Sequence, residues 1–173
     1  MGEIKYTEGY VQQRLSNFIG SNCRYKIGNI YLFGGESDFM VQKQSSQYIY
    51  EYEIKISRSD FFADFKKIDR HRILQDVTKT WKANRFYYVV PDGLISSNEV
   101  PKYAGLIYIT DNNVLTVKQA PLLHQTKNKI EAILFERIYH RWKSQIFENQ
   151  RLKREMDSSL RYIDVLKNGT KLF

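Results

Sequence analysis

The sequence predicts an α/β fold. Segments rich in Ile, Val, Tyr and Phe, which favour strands, alternate with segments whose apolar residues recur at helical spacing. Their order is one helix, three strands, a second helix and further strands, which is the layout of an α/β sandwich. A length of 173 residues, 14% of them aromatic, is enough for a domain with its own core. We therefore expect a core over residues 1–125 and a helical extension over residues 126–173, forming a single domain overall.

The first half of the chain predicts a helix followed by an antiparallel meander. Apolar residues at helical spacing favour a helix over residues 7–20, where Gly20 is a natural stop. A run rich in Ile, Tyr and Phe follows and ends at a Gly-Gly turn. Two further β-prone runs are separated by a short polar stretch. The three predicted strands are 27–33, 37–42 and 47–56.

The second half predicts one amphipathic helix, further strands and a long terminal helix. Ser57 and Ser59 are candidate N-caps for a helix over residues 60–75, with Asp60 in its first turn. Residues 131–166 contain no Gly or Pro and carry many Arg and Lys, which predicts a long basic helix. Between these helices, clusters of turn-forming residues end the β-prone runs. The predicted strands are 85–90, 104–110 and 114–118.

Charge and cysteine content restrict the class of function. A net charge of +8 favours a polyanionic partner, because each phosphate that is neutralised releases condensed counterions. A basic protein with no nucleic-acid role is the alternative. The single cysteine, Cys23, excludes an internal disulfide framework and fits a reducing compartment. With no apolar run near the roughly 20 residues of a membrane span, we expect a cytoplasmic protein without a membrane partner.

Three residues in two predicted strands carry the candidate chemistry. Glu53 and Lys55 are two positions apart, so their side chains point to the same face, and Ile54 points to the opposite one. If the strands are hairpin neighbours, Asp38 lies beside Glu53 on the shared face. Two carboxylates and one ammonium then converge. The alternative is a solvated charge pair on a surface strand, and we expect Glu36 and Glu51 to lie at such a solvated rim.

Phosphodiester hydrolysis requires this set of groups. Mg²⁺ or Mn²⁺ binds through one or two carboxylates, with water and substrate phosphate completing the shell. The cation polarises the phosphoryl oxygen and lowers the pKa of a bound water. We expect Asp38, Glu53 and the backbone carbonyl of Ile54 to hold the cation. Lys55 would position the attacking water and offset charge on phosphorus.

An ordered series of motifs spans roughly residues 36–123 and is more specific than the Glu-x-Lys motif alone. The series comprises Glu36-Ser37-Asp38, Tyr52-Glu53-Ile54-Lys55-Ile56-Ser57-Arg58-Ser59-Asp60-Phe61, Asp64, Lys66, Phe86-Tyr87-Tyr88-Val89-Val90-Pro91-Asp92-Gly93-Leu94, Val100-Pro101 and Gly105-Leu106-Ile107. It resembles the MmcB-related branch of the PD-(D/E)xK nuclease superfamily. The resemblance implies a restriction-endonuclease-like mixed sheet flanked by helices. It also implies a role in DNA repair or in phage or mobile-element DNA metabolism.

Further residues are candidates for auxiliary roles. Asp60, Lys67 and His71 share one stripe of the predicted helix with Asp64, so they would face the site together; a stripe of surface charge pairs is the alternative. Ser57 either caps the helix or binds a phosphate, and Glu8 on the first helix is a candidate third acidic ligand. Basic residues around the site, with a Trp that could stack on an unpaired base, are the candidate nucleic-acid contacts. These contacts are Arg58, Lys66, Lys67, Arg70, Arg72, Lys79, Trp81, Lys82 and Arg85.

Three functions from different classes are compatible with these features. The first is a divalent-metal-dependent nuclease acting on DNA. The second is a module on the same fold that binds nucleic acid without cutting it. The third is an interaction protein whose basic helix docks a partner. Apolar residues at near-heptad spacing, Leu152, Met156, Leu160 and Ile163, also suggest a homodimer through the terminal helix.

Overall fold

The computed structural model describes residues 6–169 and contains four helices and six strands over that range. In chain order the elements are α1 (Glu8–Ile19), β1 (Cys23–Leu32), β2 (Gly35–Lys43), β3 (Ile49–Ile54), α2 (Arg58–Asp64), α3 (Ile68–Gln75), β4 (Arg85–Pro91), β5 (Ala104–Ile109), β6 (Val114–Lys118) and α4 (Glu131–Gly169).

The strands form one mixed sheet in the order β1-β2-β3-β4-β5-β6. The first three strands are an antiparallel meander, as the sequence predicts. β3, β4 and β5 are parallel to one another, and β6 returns antiparallel to β5 as its hairpin partner. The α/β class with a mixed sheet and a long C-terminal helix is therefore confirmed.

Apolar residues alternate between the two faces of the sheet and build a core on each. On one face, Val11 and Leu15 of α1 pack against strand residues such as Val89. α1 begins where the Thr7 side chain accepts a hydrogen bond from the Tyr10 N–H, an N-cap. On the other face, a second cluster contains Phe61 from α2, Leu74 from α3, and Phe86, Tyr88 and Val90 from β4. This second face also carries the acidic residues of β3.

The single helix predicted over residues 60–75 is wrong, because the segment forms α2 and α3 with a break between them. The break is a tight turn in which the N–H of Lys66 and Lys67 bond to the carbonyls of Ala63 and Asp64. Lys67 then leaves helical geometry, with ψ of 61°. The Asp64 carbonyl also lies 2.9 Å from His71 Nε2, which ties the turn to α3. Helical periodicity alone could not reveal this break.

The chain divides into two compact units, Met1–Asn128 and Lys129–Phe173. The sheet, α1, α2 and α3 belong to the first unit, and α4 belongs to the second. The predicted division at residues 125 and 126 stays a prediction. Within residues 6–169, the helices are all too short or too polar to cross a membrane.

Candidate active site

Asp38 lies where the hydrogen-bonded ladder between β2 and β3 ends. The last pair in this ladder is Phe39 with Tyr52. The next antiparallel neighbours along the two strands are therefore Asp38 and Glu53. Asp38 Oδ2 accepts a hydrogen bond of 2.7 Å from the backbone N–H of Ile54. The structure thus brings together the three residues that the sequence proposes as metal ligands.

The surroundings of the Asp38 carboxyl group disfavour its ionised form. Burial, with a further contribution from the negative charge of Glu53, raises its pKa to about 7. The hydrogen bond from Ile54 and the charge of Lys55 act in the opposite direction, and Glu8 adds a smaller rise. A bound cation would offset both the cost of burying the charge of Asp38 and its repulsion by Glu53.

Glu53 and Lys55 are buried side by side at the end of β3. Their exposed fractions are 1% and 6%, and Lys55 Nζ donates a hydrogen bond of 2.9 Å to Glu53 Oε1. Desolvation lowers the pKa of Lys55, but the charge of Glu53 and this hydrogen bond outweigh it, so the pKa is raised. Lys55 is accordingly a protonated ammonium at neutral pH and a donor rather than a base.

Asp64 is a component of the site that the sequence analysis did not assign a role. Its side chain is fully buried and accepts a 2.8 Å hydrogen bond from the Tyr88 hydroxyl. Asp64 Oδ1 lies 2.8 Å from Lys67 Nζ and 3.8 Å from Lys55 Nζ. Burial alone would raise its pKa, yet the ion pair with Lys67, the hydrogen bond from Tyr88 and the charge of Lys55 lower it to about 2. The sequence signal that points to Asp64 is its place in the Asp-Phe-x-x-Asp motif.

Glu51 is not at a solvated rim, contrary to the expectation for it. The side chain is buried, accepts a hydrogen bond from the Ser37 hydroxyl, and lies 2.8 Å from Arg70 Nη2. Burial raises its pKa, and the charge of Arg70 opposes that rise. Alternation along β3 correctly predicted that Glu51 shares a face with Glu53. This part of the face is not open to solvent, because Arg70 of α3 lies over it. Glu36 is exposed, as expected.

Three cations surround Glu53. Besides Lys55, Lys67 Nζ lies 3.1 Å from Oε1, and Arg70 Nη2 lies 2.8 Å from Oε2. The Arg70 contact is an ion pair without hydrogen-bond alignment, so Glu53 Oε2 is a buried oxygen with no hydrogen bond among the described residues. A metal ion at this oxygen would compete with the Arg70 guanidinium for it.

Two auxiliary candidates have structural roles in the fold. Ser57 is the N-cap of α2, because its hydroxyl accepts a hydrogen bond of 3.2 Å from the Asp60 N–H. The His71 ring is 6% exposed, with Nδ1 2.5 Å from the Tyr103 hydroxyl and Nε2 2.9 Å from the Asp64 carbonyl. Both ring nitrogens are therefore occupied inside the protein, and an auxiliary role for His71 in the chemistry stays a prediction.

Asp60 and Glu8 both lie close to the site, Asp60 near Lys55 and Glu8 near Asp38. Asp60 Oδ1 is 3.7 Å from Lys55 Nζ, so its partly exposed carboxylate belongs to the charge cluster. Glu8 accepts a hydrogen bond from the Gln12 amide, and that amide also donates to the Asp38 carbonyl. The role of Glu8 as a third acidic ligand stays a prediction.

The candidate nucleic-acid contacts divide into exposed and internal residues. The prediction that Lys82 contacts nucleic acid is wrong, because Lys82 is only 2% exposed. Its Nζ instead donates hydrogen bonds to the carbonyls of Ile73, Leu74 and Asp76 at the end of α3. Arg70 and Arg85 are also committed internally, Arg70 to Glu51 and Glu53 and Arg85 to the Ala120 carbonyl. Arg58 is exposed but pairs with Glu99 at 2.5 Å. The candidates with exposed side chains are Arg58, Lys66, Lys67, Arg72, Lys79 and Trp81.

The donor set fits a cation through two carboxylates rather than three. Over residues 6–169, no group of three or more His, Cys, Asp or Glu side chains is arranged to hold a metal ion. The candidate set is instead Asp38, Glu53 and the Ile54 carbonyl. The raised pKa of Asp38 favours a cation here, and Glu53 Oε2, although ion-paired with Arg70, carries no hydrogen bond among the described residues.

Comparisons with known proteins give one structural likeness. No family model matches this chain, and no curated protein matches it. Among solved structures, a protein of unknown function from Silicibacter pomeroyi is similar, with 18% sequence identity and a TM-score of 0.49. The similarity covers 69% of this chain and 75% of that one.

Proposed function

We propose that the protein is a divalent-metal-dependent nuclease of the PD-(D/E)xK type, with a restriction-endonuclease-like fold, that hydrolyses phosphodiester bonds of DNA. The observation that carries the proposal is the convergence of Asp38, Glu53 and Lys55 where the ladder between β2 and β3 ends. The resemblance of residues 36–123 to the MmcB-related branch supports a role in DNA repair or in phage or mobile-element DNA metabolism. Net charge of +8 is compatible with a DNA partner.

Each residue has a defined part in this proposal. Asp38, Glu53 and the Ile54 carbonyl would hold Mg²⁺ or Mn²⁺, which supplies a metal-bound water and polarises the phosphate. Lys55 keeps its proton and donates toward oxygen, which suits the positioning of the attacking water and the neutralisation of charge on phosphorus. Asp64 positions Lys55 and Lys67 by charge. Lys67, with half of its side chain exposed, is the cation best placed to reach a substrate phosphate.

One observation favours a second candidate, a module that binds nucleic acid without cutting it. Lys55, Lys67 and Arg70 already neutralise Glu53. A carboxylate held by three cations has less free energy to gain from a metal ion, because the metal must displace or repel them. In this alternative the cluster is a structural ion-pair network, and the exposed basic residues carry the binding.

Cleavage assays with matched lysine variants distinguish the two candidates. The parent, Lys55→Met and Lys102→Met are incubated with duplex, branched and single-stranded DNA and with RNA, in Mg²⁺ and in Mn²⁺. Lys55→Met keeps the length of the aliphatic stem but removes the ammonium, whereas Lys102 is an exposed lysine outside the proposed site and outside the candidate nucleic-acid contacts. Metal-dependent cleavage of DNA by the parent and Lys102→Met, but not by Lys55→Met, is the expected result.

Other outcomes overturn the proposal in distinct ways. Equal cleavage by all three proteins means a contaminating nuclease or a misplaced site. Binding of DNA by the parent without cleavage in either metal supports the non-cleaving module. Cleavage of RNA but not DNA would retain the chemistry and change the substrate. Circular dichroism of Lys55→Met checks that loss of activity is not loss of fold.

A further inference from the structure

The helix α4 carries an apolar stripe on a largely exposed surface. α4 is 39 residues long, and from residue 135 to residue 166 all of its side chains are exposed except the half-buried Ile146. Large apolar side chains are among them: Phe135 is 75% exposed, Trp142 60% and Met156 57%. An exposed apolar surface of this length marks an interaction site rather than an ordinary helix surface.

The stripe follows a heptad repeat. Phe135, Trp142, Asn149, Met156 and Ile163 lie at intervals of seven residues and define position a. Position d, three residues further on, contains Ile138 and Leu152, which are 45% and 50% exposed, together with Gln145 and Ser159. The a positions run over 28 residues, or about 42 Å of helix. A repeat sustained over four heptads is the pattern of a coiled-coil strand.

The polar residue at position a of this seam selects the partner. Asn149 is at an a position in the middle of the stripe, and a single Asn at position a favours two parallel strands in one register, in which the two amides bond to each other. Such self-pairing requires the same residue at the same height on the partner. A second copy of this chain supplies that residue by identity.

The flanking charges agree with a parallel pair. Glu148 is at position g and Lys153 is at position e of the following heptad. In a parallel dimer, g of one helix faces the following e of the other, so Glu148 lies opposite Lys153 of the second copy. Glu148 pairs with Arg151 of its own helix at 2.6 Å, but both side chains are exposed and such pairs contribute little. In an antiparallel pair, e would face e, and the complementary contact would be lost.

We propose that α4 forms a parallel, in-register, two-stranded coiled coil with a second copy of this chain, and that Asn149 fixes its register. Apolar residues at e, namely Tyr139, Ile146 and Leu160, widen the stripe along one side of the seam. The proposal is independent of the chemistry of the sheet.

Disulfide trapping in the full-length chain tests both the pairing and its direction. Cys23 is replaced by Ser, and Met156→Cys is compared with Asp157→Cys under mild oxidation. Position 156 is an a position and faces itself only in a parallel, in-register pair, whereas position 157 is at b and points away from the seam. We expect a covalent dimer with Met156→Cys and little or none with Asp157→Cys. Equal cross-linking of the two variants, or none with Met156→Cys, overturns the proposal.

Light scattering on the chain with native Cys23 provides the second readout. Twice the mass of one chain is expected for the parent and for Ser144→Glu, which puts a charge at an outward c position. Trp142→Glu puts a charge into the seam and should reduce the mass to that of one chain. A monomeric parent, or a trimer or tetramer, would contradict the two-stranded assembly.

Discussion

Asp38 Oδ2 accepts a hydrogen bond of 2.7 Å from the backbone N–H of Ile54. This bond joins β2, at the point where its ladder with β3 ends, to Ile54, the last residue of β3 and the one immediately before Lys55. Because the acceptor is a carboxyl group with a pKa raised to about 7, its charge changes near neutral pH. The protonation state of Asp38 therefore acts on the strand end that positions Lys55.

Asp38→Asn should remove a pH dependence of stability. The pKa of Asp38 is raised from 3.8 in the unfolded reference to about 7 in the folded protein, so the folded state binds the proton more tightly. The contribution of Asp38 to the free energy of unfolding is therefore fully present below about pH 4, and it is lost as pH rises through about 7. At pH 8 we expect Asp38→Asn to raise the free energy of unfolding by about 1–2 kcal/mol, after allowance for solvent screening.

Urea unfolding of both proteins between pH 4 and pH 8 measures this difference. The gap should narrow strongly toward pH 4, where the parent carboxyl is protonated in the folded state and about half protonated in the unfolded state. The exposed Asp69→Asn is the control and should leave the free energy of unfolding at pH 8 within about 0.5 kcal/mol of the parent. A constant offset at every pH would show that Asp38 does not titrate in this range.

Divalent cation should stabilise the parent but not Asp38→Asn. A cation bound by Asp38 and Glu53 favours the ionised carboxylates and binds only the folded state, so it raises the unfolding temperature by mass action. Titration with Mn²⁺ at neutral pH, followed by thermal unfolding, measures the effect. Asp69→Asn should respond like the parent. An equal rise in Asp38→Asn would place the cation elsewhere.

Asp64→Asn should destabilise the protein strongly at neutral pH. Its buried carboxylate balances Lys67 and Lys55 and accepts the Tyr88 hydroxyl hydrogen bond. Removal of one partner from a buried ion pair costs about 3–5 kcal/mol, because the remaining charges are uncompensated. Since the pKa of Asp64 is lowered to about 2, its contribution is present above pH 4 and is lost as pH falls through about 2. Chemical denaturation at pH 7 measures the loss, and a change below about 1 kcal/mol would contradict it.

Gly105→Ala should be destabilising for a steric reason. A Cβ at Gly105 would lie 2.5 Å from the Tyr87 ring and 2.6 Å from the Ala120 backbone nitrogen, so backbone as well as side chain must move. We expect a loss of about 1–3 kcal/mol. Gly9→Ala on α1 is the matched control, because nothing lies within 4 Å of its added carbon, and it should be neutral or slightly stabilising. Thermal unfolding of the two variants separates crowding from a general effect of replacing glycine.

The sequence predicted the part of the site that depends on local rules. Alternation along a strand and the meander of the first three strands put Asp38 beside Glu53 and gave Glu53 and Lys55 one face. Contacts that depend on the path of α2 and α3 were not predictable in this way. The break at Lys67 brings Lys67 and Arg70 onto Glu53, and helical periodicity gives no signal for it.

The burial of Lys82 was likewise not predictable from the sequence. Lys79 and Lys82 flank Trp81 and look equivalent as basic neighbours of an aromatic residue. Only the tertiary path shows that the end of α3 presents three carbonyls to Lys82, and that Lys79 stays exposed. A cation at a helix C-terminus stabilises both the orphan carbonyls and the helix dipole.

Lys82→Met should therefore change the stability of the protein, whereas Lys79→Met should change its binding of DNA. Lys82→Met leaves the α3 carbonyls without their donor and should cost about 1–3 kcal/mol of unfolding free energy. Its DNA affinity, measured where the variant is folded, should match the parent. Lys79→Met should leave stability unchanged and, if Lys79 neutralises a phosphate, reduce the salt dependence of DNA binding by about one counterion. Thermal unfolding and binding titrations at several salt concentrations test both variants. A Lys82→Met protein with full stability but weakened DNA binding would show instead that Lys82 contacts nucleic acid.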